Sequence, residues 1–128
     1  MVKPVAERLL DAIEMGDKQA MRELYCPEAE IWHNTDGVVQ SVEQSLAVVD
    51  AFIDSFSNIR FDQRRLRTFA GGLVQQHRMT AVAASGCKVE FHGCMVFQIR
   101  DGRIARLDEY FDSAALAPVY GQIESQPS

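Results

Sequence analysis

The chain has 128 residues and a mass of 14.4 kDa, the size of one domain with one core. Its 47% hydrophobic and 24% charged residues exclude a disordered, collagenous or disulfide-scaffold protein. The net charge of −5 is unevenly spread: residues 60–106 hold nine Lys/Arg against three Asp/Glu, and the remainder holds four against fifteen. The basic strip Arg64-Arg65-Leu66-Arg67 has no aromatic interleaving, so it reads as a solvated strand face and no nucleic-acid partner is expected. No apolar run nears the ~18 residues of a membrane span. Met1-Val2-Lys3-Pro4 opens no secretory signal, and Cys26, Cys87 and Cys94 are odd in number. A reduced, cytoplasmic setting without a membrane partner is the expectation.

Residues 4–15 predict a helix, with Val5, Leu9, Ala12 and Ile13 at helical spacing. Gly16 stops it and Asp17 caps the next, whose apolar face is Ala20, Met21, Leu24 and Tyr25 and whose end is Pro27. Residues 28–33 are extended, with Ala29, Ile31 and His33 on one face and Glu30 and Trp32 on the other. The loop Asn34-Thr35-Asp36-Gly37 follows. Ser41 with Gln44 is a capping box opening a third helix through Leu46, Val49, Ile53 and Phe56.

From about residue 59 the pattern turns to strands. Ile59 and Phe61 are out of phase with Leu66 and Thr68, which calls for a bulge between them. Gly71-Gly72 make a turn, residues 73–84 a long strand and Ser85-Gly86 a hairpin turn. In the next strand Val89, Phe91, Met95, Phe97 and Ile99 face inward. Asp101-Gly102 makes a hairpin into a last strand over residues 103–111, and Asp112 or Ser113 caps a short helix before Pro118. One domain spans residues 1–128, with a frayed tail from about 121. Helices followed by a meander of long strands define an α+β protein.

Several segments carry a resemblance. They are the Gly16-Asp17 break, Leu24-Tyr25-Cys26-Pro27-Glu28-Ala29, and Ile99-Arg100-Asp101-Gly102-Arg103-Ile104 followed by Asp108-Glu109-Tyr110-Phe111-Asp112. In this order they resemble the nuclear-transport-factor-two-like superfamily, in its SnoaL-like and ketosteroid-isomerase-like branch. The resemblance implies a cone-shaped α+β barrel, three N-terminal helices on a strongly curved, mainly antiparallel sheet. It also implies a homodimer through the outer sheet face.

Residue by residue, the resemblance sets His33 at the reactive position, where ketosteroid isomerases place an Asp base and the related epoxide hydrolases an Asn. Leu9 and Met95 or Cys94 stand where the isomerases need oxyanion donors, so that mechanism is disfavoured. Glu109 and Arg78 match part of the epoxide-hydrolase triad, but Thr80 replaces its other Asp, so that mechanism is disfavoured too.

The catalytic candidates are therefore His33, Glu109, His77 and Arg78. His77 and Arg78 are alternatives set by register: a two-residue Ser85-Gly86 turn faces Arg78 inward, and a three-residue turn faces His77 and Met79 inward. Ile31, Asn34, Phe91, Met95, Phe97, Leu107 and Phe111 are the expected substrate-binding residues. Cys and His spacing offers no metal site, and no glycine-rich phosphate loop appears, so no cofactor is expected. The leading expectation is a cofactor-independent enzyme running an isomerase-, dehydratase- or cyclase-type proton shuttle on a small apolar molecule. The alternative is a non-catalytic ligand-binding or dimerisation module.

Overall fold

A computed structural model describes residues 3–116. Among these residues the chain runs α1 (Val5–Met15), α2 (Lys18–Glu23), β1 (Tyr25–His33), β2 (Val39–Gln40), α3 (Val42–Ser55), β3 (Phe56–Phe69), β4 (Gly72–Ala83), β5 (Lys88–Arg100) and β6 (Arg103–Phe111). A single 3₁₀ turn, Ser113–Leu116, follows. The predicted tail lies outside the described residues. No helix among them is long and apolar enough to cross a membrane.

The helix ends obey local chemistry. Gly16 closes α1 in the left-handed region at φ 69°, which glycine adopts without Cβ strain. The Asp17 side chain accepts from the Ala20 amide at 3.0 Å to start α2. The capping box is complete: Ser41 Oγ accepts from the Gln44 amide at 3.2 Å, and Gln44 Oε1 accepts from the Ser41 amide at 2.9 Å. α2 ends at Glu23, four residues before Pro27. Pro27 instead lies in β1, where the register shifts between Tyr25 and Glu30 and no regular ladder needs its missing N–H.

The sheet order is β2-β1-β6-β5-β4-β3. All neighbours are antiparallel except β1 and β6, which are parallel. The sheet curves around the helices as a cone-shaped α+β fold but does not close, so β2 and β3 remain its edges. β3 shifts register twice, at residues between Ser57 and Arg60 and between Asp62 and Arg65, and Asn58 and Gln63 there both take φ 53°. The second shift is the bulge that the change of phase after Phe61 requires; the first was not foreseen. Such bulges bend a strand and sharpen its twist, which helps β3 follow the curve.

The β4–β5 hairpin fixes the inward set. Ala83 donates its amide to Cys87 O at 2.8 Å and Val82 pairs with Lys88, leaving a three-residue loop at 84–86. This loop begins one residue earlier than either predicted turn but keeps the phase of the three-residue alternative. His77 and Met79 therefore face inward, and Arg78 does not. At the next hairpin Asp101 and Gly102 both have positive φ, 53° and 76°, as a two-residue turn of this twist requires. The core lies between the helices and the inner sheet face, with Leu9, Leu10, Ile31, Met79, Phe97 and Ile104 essentially inaccessible.

Candidate active site

The parallel pairing of β1 and β6 sets His33 opposite Glu109. Both side chains point inward, and His33 Nε2 lies 3.2 Å from Glu109 Oε1. Each is less than one-fifth exposed. The hydrogen bond to Glu109 pushes the His33 pKa up; burial opposes this, and the charges of Glu109 and Asp36 reinforce it. Glu109 thus orients the ring and favours its charged form.

The pair opens on a cavity of about 440 Å³ between the cone and α3. Its walls are mostly apolar: Leu9 and Ile13 from α1, Leu46 and Phe52 from α3, Ile31, Met95 and Leu107 from the sheet. Phe91 and Phe111 stack at 4.6 Å between centroids and form one wall. A cavity of this size, apolar with a few polar groups, suits a small organic ligand.

Five of the seven expected substrate-binding residues line it: Ile31, Phe91, Met95, Leu107 and Phe111. Two do not. Asn34 is exposed and clamps β6 instead: its Nδ2 donates to Phe111 O at 3.0 Å, and its Oδ1 accepts from the Phe111 amide at 3.1 Å. A short amide just past a strand end satisfies a neighbouring backbone more readily than it reaches a cavity. Phe97 is fully buried in the rung between Leu73 and Leu107, below the cavity wall.

Arg78 does not reach the cavity either. It lies on the outer sheet face, where its guanidinium donates to Asp62 at 2.6 and 2.8 Å and to Glu90 at 3.2 Å. With Arg60, Thr80 and Lys88 it borders a shallow outer concavity. His77 faces inward but is buried behind the cavity wall, edge-on to Phe61 with ring centroids 5.2 Å apart. Burial pushes its pKa down; the charge of Glu109 opposes this, and Arg64 and His92 add to it.

Tyr25, which the helical spacing assigns to the apolar face of α2, instead opens β1 and reaches the cavity. It is buried, lines the cavity, and burial together with the nearby Glu109 charge pushes its phenol pKa up, so it stays a neutral donor. The alternation of Ala29, Ile31 and His33 does not extend to it, because the register shifts between Tyr25 and Glu30. Among the described residues no cluster of His, Cys, Asp or Glu has metal-site geometry.

Fold and site together define a helix-covered conical sheet whose apolar cavity holds a histidine–carboxylate pair. The SnoaL-like domain family model matches residues 6–107, and the chain belongs to that family. No curated protein matches the chain. Among solved structures, IdmH from Streptomyces antibioticus, a proposed polyketide cyclase, is similar at TM-score 0.80 and 18% identity, over 91% of this chain and 96% of its own. A proposed SnoaL-like polyketide cyclase from Jannaschia sp. CCS1 gives TM-score 0.76 and 21% identity, over 96% and 91%. An LEH-like epoxide hydrolase from M. tuberculosis gives 0.73 and 15%, over 93% and 90%. At these identities the likeness shows the shared fold.

Proposed function

We propose that the protein is a cofactor-independent enzyme that moves a proton on a small, largely apolar carbonyl compound. The observation that carries this reading is the His33–Glu109 pair, 3.2 Å apart, opening on an apolar cavity. Structural relatives named as proposed polyketide cyclases and as an epoxide hydrolase support small-molecule chemistry as the class to test.

Neutral His33 donates Nε2–H to Glu109 and keeps its lone pair at Nδ1. That nitrogen takes a proton from the carbon next to the ligand carbonyl. The C–H electron pair becomes the enolate double bond, and charge moves to oxygen. Where the ligand carries a C=C bond beyond that carbon, the charge extends to its far end, and return of the proton there shifts the double bond and completes an isomerisation. Attack of the enolate carbon on a second carbonyl, with the imidazolium protonating the new alkoxide, completes an aldol-type cyclisation. Glu109 holds the ring in the tautomer this needs and stabilises the imidazolium.

The test is α-proton exchange of bicyclic and tricyclic aryl ketones in D2O, followed by proton NMR. Wild type should accelerate exchange of at least one ketone. His33→Ala should lose about 10²–10⁴-fold of it, and Glu109→Gln a smaller share. Exchange no faster than buffer across the panel, or equal rates in wild type and His33→Ala, would sink the reading. The family resemblance further favours a homodimer through the outer sheet face, where the rings of Trp32 and Tyr110 meet at a tilt of 60°, 5.3 Å between centroids, and Tyr110 is exposed. A monomer by sedimentation would refute that part alone.

A further inference from the structure

Behind the cavity wall, the inner face of β4 carries two buried polar side chains two residues apart. Gln75 is fully buried and His77 is 3% exposed. Among the described residues neither nitrogen of His77 and neither polar atom of the Gln75 amide has a hydrogen-bond partner. Four such atoms side by side are costly to bury without a purpose, since each loses its water and gains nothing.

Their placement relates them to the cavity. Gln75 pairs with Met95, Met95 with Glu109, and Glu109 with His33, so the amide shares one rung of the sheet with the histidine–carboxylate pair. His77 pairs with Gly93, and its Nε2 lies 2.7 Å from where a Cβ on that glycine would sit. Any other residue at 93 would push the imidazole away, so the glycine lets the ring lie across β5. The side chains next to this polar pair, Phe61 and Met95, are themselves cavity wall. Met95, unbranched and flexible, is the wall side chain that stands between Gln75 and the histidine–carboxylate pair along this rung.

We infer that Gln75 and His77 form a polar subsite at the inner end of the cavity that receives the oxygen of an apolar ligand's carbonyl group. The inference rests on the proton-transfer reading and names the oxygen partner that reading needs. The amide and the neutral imidazole together offer N–H donors and unprotonated acceptors. A ketone oxygen takes the donors. The same oxygen as an enol can also donate to Gln75 Oε1 or the bare imidazole nitrogen, so both tautomers are held.

The probe is 1-tetralone carrying ¹³C at its carbonyl, titrated into the full chain and followed by carbon NMR. Bound to wild type, its carbonyl signal should move downfield of its position in hydrocarbon solvent, as a hydrogen-bonded carbonyl does. In the Gln75→Leu/His77→Leu double variant the signal should return to the hydrocarbon position and Kd should weaken about tenfold. The double variant should melt at or above the wild-type temperature, because its orphan polar atoms are gone. Gly93→Ala, which displaces the ring while keeping both groups, should also lose the downfield shift, and it serves if the double variant does not fold. An unchanged shift in these variants, loss of the shift in Tyr25→Phe alone, or no binding of tetralone to wild type would overturn the inference. His33-dependent exchange with a carbonyl signal indifferent to Gln75 and His77 sinks only this subsite. A signal that depends on them without exchange sinks only the proton transfer.

Discussion

His33 and Glu109 face each other across the parallel β1–β6 junction, Nε2 to Oε1 at 3.2 Å, although 76 positions separate them in the chain. The histidine pKa is raised, first by this hydrogen bond. A group whose folded pKa is raised adds stability that is fully present below its unfolded pKa, about 6.5 for histidine, and lost as pH rises through the folded value. Glu109→Gln should therefore lower the melting temperature at pH 5.5–6 by the equivalent of about 1 kcal/mol, and by less at pH 8.5. Thermal melts of both proteins across this range check it. A difference that grows with pH would refute the assignment.

The same shift sets the pH profile of exchange. Only neutral His33 accepts a proton, so the rate should rise with pH through the raised His33 pKa and then level off. In Glu109→Gln the inflection should move to lower pH, because the main cause of the shift is gone. Initial rates with one responsive ketone, measured between pH 5 and 9, decide this. An inflection that stays in place would show that the titrating group is not His33.

Asn34 acts on the wall rather than on the ligand. Its two hydrogen bonds hold the backbone of Phe111, whose ring stacks on Phe91. Asn34→Ala should cost about 1–2 kcal/mol in urea unfolding and weaken ligand binding by letting that wall shift. Asn34→Asp keeps the acceptor for the Phe111 amide and should fall between the two.

Phe97 tests the boundary between core and cavity. Phe97→Ala should destabilise by about 3–5 kcal/mol, the cost of a large buried cavity. Phe97→Leu, which refills most of the space, should leave ketone affinity unchanged. A large change of Kd in Phe97→Leu would place the ring in the cavity after all.

The capping box supports the helix that covers the cavity. Ser41→Ala removes the acceptor for the Gln44 amide and should cost about 1 kcal/mol. Chemical denaturation with circular dichroism measures it, and no loss would mean that tertiary packing alone fixes the start of α3.

The sequence alone determined whatever depends on near neighbours. Gly16, Asp17 and the Ser41–Gln44 box set helix ends through side chains and φ values three or four residues apart. Alternation in residues 89–99 set the inward face of β5, and Asp101-Gly102 set its hairpin. The phase of Ala29, Ile31 and His33 pointed His33 inward, and the resemblance paired it with Glu109 as a candidate.

Tertiary structure decided whatever depends on register. Where the β4–β5 loop begins chose His77 over Arg78, because a one-residue slip exchanges the two faces and several loop choices satisfy the same local residues. Phe97 had the right phase and Asn34 lies next to His33 in the chain, but only the packed sheet shows one under its neighbours and the other bonded to a backbone. The parallel junction of β1 with β6 is the longest-range decision of all. No local pattern encodes which strand end meets which, and that meeting brings the imidazole and the carboxylate to one cavity.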